Sequence, residues 1–112
     1  MVSELVGFTK ICKEKDLKEN TGTLFFVDDV EVAVFKVNSN IYALNNICPH
    51  QHSAIIYDGF LEDGYVVCPA HGWEFELKTG KRKSGCKGLD SYEVRIIDGE
   101  VFVKVYKKEL RW

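Results

Sequence analysis

All three histidines and two of the four cysteines in this 112-residue chain fall in two short segments, NICPHQHSAI at 46–55 and VCPAHGWEFE at 67–76. Each segment runs cysteine, proline, then histidine within three residues of the cysteine. Cys48-x-His50 and Cys68-x-x-His71 are separated by seventeen residues. A centre taking one thiolate and one imidazole from each segment therefore requires a fold that brings two separate loops together. Pro49 and Pro69 stiffen those loops and remove a backbone donor beside each candidate ligand. Gly72, directly after His71, permits a tight backbone course close to whatever is bound.

The rest of the chain reads as strands. TLFFVDDVEVAVFKV holds two β-rich runs, Thr23–Val27 and Val30–Val37, separated by Asp28-Asp29. A turn at Asn38-Ser39-Asn40 leads into a short strand over Ile41–Leu44. LEDGYVVC and RIIDGEVFVKV each carry an Asp-Gly pair between apolar runs, a strong hairpin signal. The second places Arg95, Ile96 and Ile97 opposite Val101, Phe102 and Val103. CKEKDLKEN, from Cys12, has too few apolar residues for a core helix and is expected to make one or two turns at most. Turn signals at this density predict an all-β sandwich or barrel, with both Cys-Pro segments in loops near one end. No repeat, low-complexity stretch or linker divides residues 1–112, and the length suits one domain.

Composition narrows the function. Apolar residues make up 46% and charged residues 29%, as in ordinary globular proteins. No run approaches the eighteen apolar residues that a membrane helix needs. The start MVSELVGFTK lacks a basic stretch followed by an apolar run, which predicts a cytoplasmic chain. In a reducing compartment, four cysteines point to metal before disulfides. The net charge of −2 is uneven: residues 1–64 carry five basic and ten acidic side chains, residues 65–112 ten and seven. The basic excess peaks in KTGKRKSGCKG, where Lys78, Lys81, Arg82, Lys83 and Lys87 meet no acid along the sequence. That stretch is a solvated loop or a docking surface for an acidic partner. Nucleic acid does not fit the charge, and no aromatic residue is interleaved with these lysines.

Two metal chemistries suit two cysteines and two histidines. One is a tetrahedral zinc, although structural zinc sites more often pair like ligands within each segment. The other is a two-iron, two-sulfide cluster with both thiolates on one iron and both imidazoles on the other.

CPHQHSA and CPAHGWEFELKTG resemble the two cluster-binding loops of Rieske ferredoxins and of the Rieske domains of ring-hydroxylating oxygenases. VEVAVFKVNSNIYALNNICPH is similar to that family's strand-turn-strand entry to the first loop, and LDSYEVRIIDGEVFVKV to its closing hairpin. The resemblance implies an antiparallel β-sandwich base domain with a small inserted cluster-binding subdomain over roughly Asn45 to Glu76. It implies one [2Fe-2S] cluster, with Cys48 and Cys68 on the inner iron and His50 and His71 on the outer. High-potential family members of cytochrome bc complexes bridge the two loops by a disulfide, where this chain has Ser53 and Ala70. They also aim serine and tyrosine hydroxyls at the cluster sulfurs, where this chain has Trp73 and Phe75. A low reduction potential is therefore expected.

The remaining candidates take plainer roles. His52 is a rim residue, and Cys12 a small buried hydrophobe. Cys86, in SGCKG, is a candidate for contact with the cluster shell and is not read as a ligand. Trp73 and Phe75 are core or shielding aromatics. No glycine-rich phosphate loop is present, and no histidines remain for a mononuclear iron site. The chain is thus expected to be a non-enzymatic, monomeric one-electron carrier. It would take electrons from a flavin-dependent reductase and pass them to a terminal oxygenase or similar acceptor. A small Rieske-like subunit of a larger reductase, such as assimilatory nitrite reductase, and a structural zinc module are the alternatives.

Overall fold

Four two-residue turns set the course of the chain. Asp28-Asp29, Asn38-Ser39, Asp63-Gly64 and Asp98-Gly99 each place two consecutive residues at positive φ, between 49° and 83°. This is the backbone of the tight hairpin turns whose twist matches paired strands, and Asp, Asn and Gly tolerate it best. The Asn38-Ser39 turn is further held by Glu19, whose carboxylate accepts the N–H groups of both residues.

The computed structural model describes residues 7–48, 53–69, 72–83 and 88–105. Strands β1 (Thr9–Lys13), β2 (Thr21–Val27), β3 (Val30–Val37), β4 (Asn40–Asn45), β10 (Ser91–Ile97) and β11 (Glu100–Lys104) form one antiparallel sheet, ordered β1-β11-β10-β4-β3-β2. Between β4 and β10 the chain leaves this sheet. It builds a two-stranded ribbon from β5 (Ile47–Cys48) and β6 (Ser53–Ala54). A three-stranded sheet follows, from β7 (Phe60–Glu62), β8 (Tyr65–Val67) and β9 (Glu74–Glu76). Among the described residues there is no α-helix; CKEKDLKEN makes one 3₁₀ turn at Glu14–Asp16, and a second covers Ile56–Asp58.

The expected all-β, antiparallel architecture is present, with one correction in register. Because Asp98-Gly99 is a two-residue turn, Ile97 faces Glu100, Ile96 faces Val101 and Arg95 faces Phe102. The residues opposite Val101–Val103 are Val94 to Ile96, one position earlier than the apolar run suggests. Glu100 belongs to the strand and not to the turn.

The unbroken apolar run of β3 has a structural reason: this strand is buried on both faces. Val30, Val32 and Val34 enter one core with Leu17, Val27, Ile41, Ala43, Tyr92, Val101 and Val103. Ala33 and Phe35 point the other way, into a second core with Leu44, Cys48, Ile56, Val66, Cys68, Phe75, Leu77 and Leu89. The period-two alternation of a strand thus ties the large sheet to the inserted hairpins. Both cysteines of the paired segments lie in this second core.

Candidate metal centre

Both cysteines sit at the tips of hairpins. Cys48 is the last residue of β5 and pairs with Ser53 of β6. Cys68 follows the last pair of the β8–β9 hairpin, Val67 with Glu74. Their exposures are 2% and 1%. His50 and His71 lie outside the described residues, as do His52, Pro49 and Cys86.

The first tip is fixed by two asparagines that the motif alone does not single out. Asn46 is fully buried. Its Nδ2 donates to Glu31 Oε1 at 3.1 Å, and its Oδ1 accepts the Tyr57 N–H at 2.7 Å. Its backbone N–H donates to Glu31 O at 3.0 Å, and its carbonyl accepts the Ile56 N–H at 3.1 Å. Asn45 donates from Nδ2 to the Tyr92 hydroxyl at 3.0 Å and accepts the Ile47 N–H on Oδ1 at 2.9 Å. A buried amide is tolerated only when its polar atoms find partners. These partners lie on β3, β10 and the 56–58 turn, so Asn45 and Asn46 pin the approach to Cys48 against three elements. The available signal was the polar doublet directly after the apolar strand IYAL.

The second tip closes on itself. Cys68 donates its N–H to Trp73 O at 2.8 Å, and Gly72 donates to Cys68 O at 2.9 Å. Gly72 has φ +77°, and among the described residues no atom lies within 4 Å of the place a Cβ would occupy. Glycine is required here by its left-handed backbone and not by crowding. Phe75 is fully buried in the same core as both cysteines, and its ring centroid lies 6.4 Å from that of half-buried Trp73.

The basic segment after β9 is more ordered than a solvated loop. Glu76 donates its N–H to Lys81 O at 2.8 Å and Lys83 donates to Glu74 O at 3.0 Å, with a bridge between Phe75 and Arg82. Residues 81–83 thereby extend the three-stranded sheet. Gly80 and Gly88 close the base of the excursion: a Cβ on Gly80 would stand 2.2 Å from Leu89 O, and one on Gly88 2.1 Å from Gly80 O. Lys83 meets an acid after all, Glu74 at 3.6 Å. Arg82 lies with its guanidinium carbon 3.5 Å from the Trp73 ring centroid.

Cys12 is only half-buried, at an irregularity of register between β1 and β11, and packs on the edge of the first core. Burial, reinforced by the nearby Asp16 carboxylate, raises its thiol above the ordinary cysteine pKa.

The donor set fits a soft metal centre. Two buried cysteines that share one apolar core with Phe75 and Leu44 can supply a thiolate pair shielded from water. The sequence profile described as a Rieske-like [2Fe-2S] domain matches residues 7–104. The biphenyl dioxygenase ferredoxin subunit of Pseudomonas sp. (strain KKS102) is 31% identical over 98 residues, 86% of this chain and 90% of that protein. A solved complex of reduced oxygenase and oxidized ferredoxin in carbazole 1,9a-dioxygenase contains a chain superposing with TM-score 0.80 at 28% identity, covering 93% of this chain and 98% of the other. A chain provisionally identified as the NADH-dependent nitrite reductase small subunit of Mycobacterium tuberculosis superposes with TM-score 0.84 at 22% identity, covering 90% and 96%; at that identity the likeness is one of fold.

Proposed function

Because this chain belongs to the Rieske-like [2Fe-2S] domain family, whose group is one Rieske-type cluster, we propose that Cys48, His50, Cys68 and His71 are its four ligands. The two cysteines take the inner iron and the two histidines the outer, solvent-side iron. The observation that carries this reading is the burial of Cys48 and Cys68, 2% and 1% exposed, at two hairpin tips that share one core. Among the described residues no group of three His, Cys, Asp or Glu could hold a metal ion. His50 and His71 complete the set in this reading, on the strength of the Cys48-x-His50 and Cys68-x-x-His71 spacing. Residues from about 45 to 76 act as the cluster-binding subdomain of a single domain spanning the chain.

The bound cluster supplies reversible one-electron transfer. The chain's own residues hold its two thiolates within the buried core that also contains Phe75, which keeps water from them. The protein is a ferredoxin: a soluble, cytoplasmic, monomeric electron carrier and not itself an enzyme. A flavin-dependent reductase donates its electrons, and a terminal oxygenase or similar protein accepts them. Support for the oxygenase as acceptor comes from the ferredoxin subunits of anthranilate 1,2-dioxygenase and biphenyl dioxygenase, which this chain matches over 69% and 90% of their length. The assay is reconstitution: purified chain, a flavoprotein reductase with NADH, and a Rieske oxygenase should together turn over aromatic substrate. Omitting the chain should abolish turnover. Tight copurification with a siroheme reductase, without carrier activity, would favour the fixed-subunit reading instead.

A further inference from the structure

We infer that Arg82 positions the second cysteine loop through Trp73 and acts as a fixed cation that favours the reduced state of the centre there. The inference rests on the proposed role of Cys68 as a ligand. Three observations combine. The guanidinium carbon lies 3.5 Å from the Trp73 centroid, within the close range of cation–π stacking. Trp73 carries, on its own carbonyl, the hydrogen bond from the Cys68 N–H at 2.8 Å. Arg82 is itself held by backbone, since Lys81 and Lys83 on either side bond to Glu76 and Glu74 and Arg82 bridges to Phe75. The cation is thus locked over the indole whose backbone closes the Cys68 loop.

Its charge is the second part. Lys83, next to it, is neutralised by Glu74 at 3.6 Å, whereas among the described residues Arg82 makes no ion pair with a carboxylate. Arg82 is half-buried, where an opposite charge is felt more strongly than in bulk water. Reduction by the flavin-dependent donor would add one electron, and so one negative charge, to the centre that Cys68 would help to hold. A guanidinium seated on Trp73, whose carbonyl accepts the Cys68 N–H, would stabilise that added charge and raise the midpoint potential above what the apolar surroundings of Phe75 would give.

Midpoint potentials of the iron-loaded protein, measured at one pH by protein-film voltammetry, test this. Arg82→Gln should keep the Rieske electron paramagnetic resonance spectrum but lower the midpoint, and its Trp73 fluorescence should change as the stack is lost. Arg82→Lys, which keeps the charge, should restore most of the midpoint. Equal midpoints in wild type and Arg82→Gln overturn the inference, as does Arg82→Lys falling as far as Arg82→Gln. Should Arg82→Gln lose its iron, Arg82→Met replaces it; if neither neutral variant loads, arginine is a structural support and the charge claim falls. Cys68→Ala tests the ligand reading separately: if it keeps the Rieske spectrum, that reading fails whatever Arg82 does.

Discussion

The side-chain oxygen of Asn46 accepts the backbone N–H of Tyr57 at 2.7 Å, joining the approach to Cys48 to the turn at 56–58. The same amide donates to Glu31 on β3. Replacing Asn46 by Ala leaves the half-buried Tyr57 N–H and Glu31 carboxylate without their partner, a loss of about 1–3 kcal/mol in all. Asn46→Ala should lower stability by about that much in denaturant unfolding and accelerate loss of iron. Unchanged stability and iron retention would show that the network is ornamental.

The histidines outside the described segments separate by role. His50→Ala and His71→Ala should lose or badly damage the centre, whereas His52→Ala should leave the visible and magnetic resonance spectra largely intact. A wild-type spectrum in either of the first two would remove that residue from the ligand set.

The reduction potential should lie in the lower part of the Rieske range, about −150 to +300 mV, because no hydroxyl stands at Trp73 or Phe75 to bond the cluster sulfurs. Phe75→Tyr is the cleaner probe, since Phe75 is fully buried in the core that holds both cysteines and Trp73 also seats Arg82. Its added hydroxyl should raise the midpoint. A wild-type midpoint well above zero would contradict both the potential argument and the ferredoxin role.

Docking through the basic segment is best probed at Lys78 and Lys81, which are exposed. Lys83 is engaged with Glu74 and Arg82 with Trp73. Lys78→Glu with Lys81→Glu should slow association with an acidic redox partner, and the loss should shrink as salt rises, because exposed charges are screened over roughly 8–10 Å at physiological ionic strength. A rate unchanged at low salt would make these lysines bystanders.

Cys12 should resist alkylation at neutral pH, because its raised pKa keeps it protonated. The stability linked to it is intact below the pKa of an unfolded cysteine, about 8.5, and is lost as pH rises through the higher folded value. Iodoacetamide labelling followed by mass spectrometry reads this directly; rapid labelling of native protein at pH 7 would contradict it.

Much of this architecture was legible because its signals are local. The turns at Asp28-Asp29, Asn38-Ser39, Asp63-Gly64 and Asp98-Gly99 need residues that accept positive φ, and the flanking alternation marks the strands. The slip at Ile97 arose because a turn's length, not its position, sets register. Contacts between distant segments left no such trace. The pairing of β1 with β11, the extension of β9 by residues 81–83 and the seat of Arg82 on Trp73 depend on three-dimensional closure. The Cys/His spacing gave the chemistry of the site, but the buried Asn45-Asn46 network that braces it follows only once β3, β10 and the 56–58 turn are in place.

The most direct test of the central claim is iron and acid-labile sulfide analysis of the purified chain, alongside zinc. The account predicts a red-brown protein with about two irons and two sulfides per chain, losing both in Cys48→Ala and Cys68→Ala. A colourless protein carrying one zinc and no sulfide would contradict it.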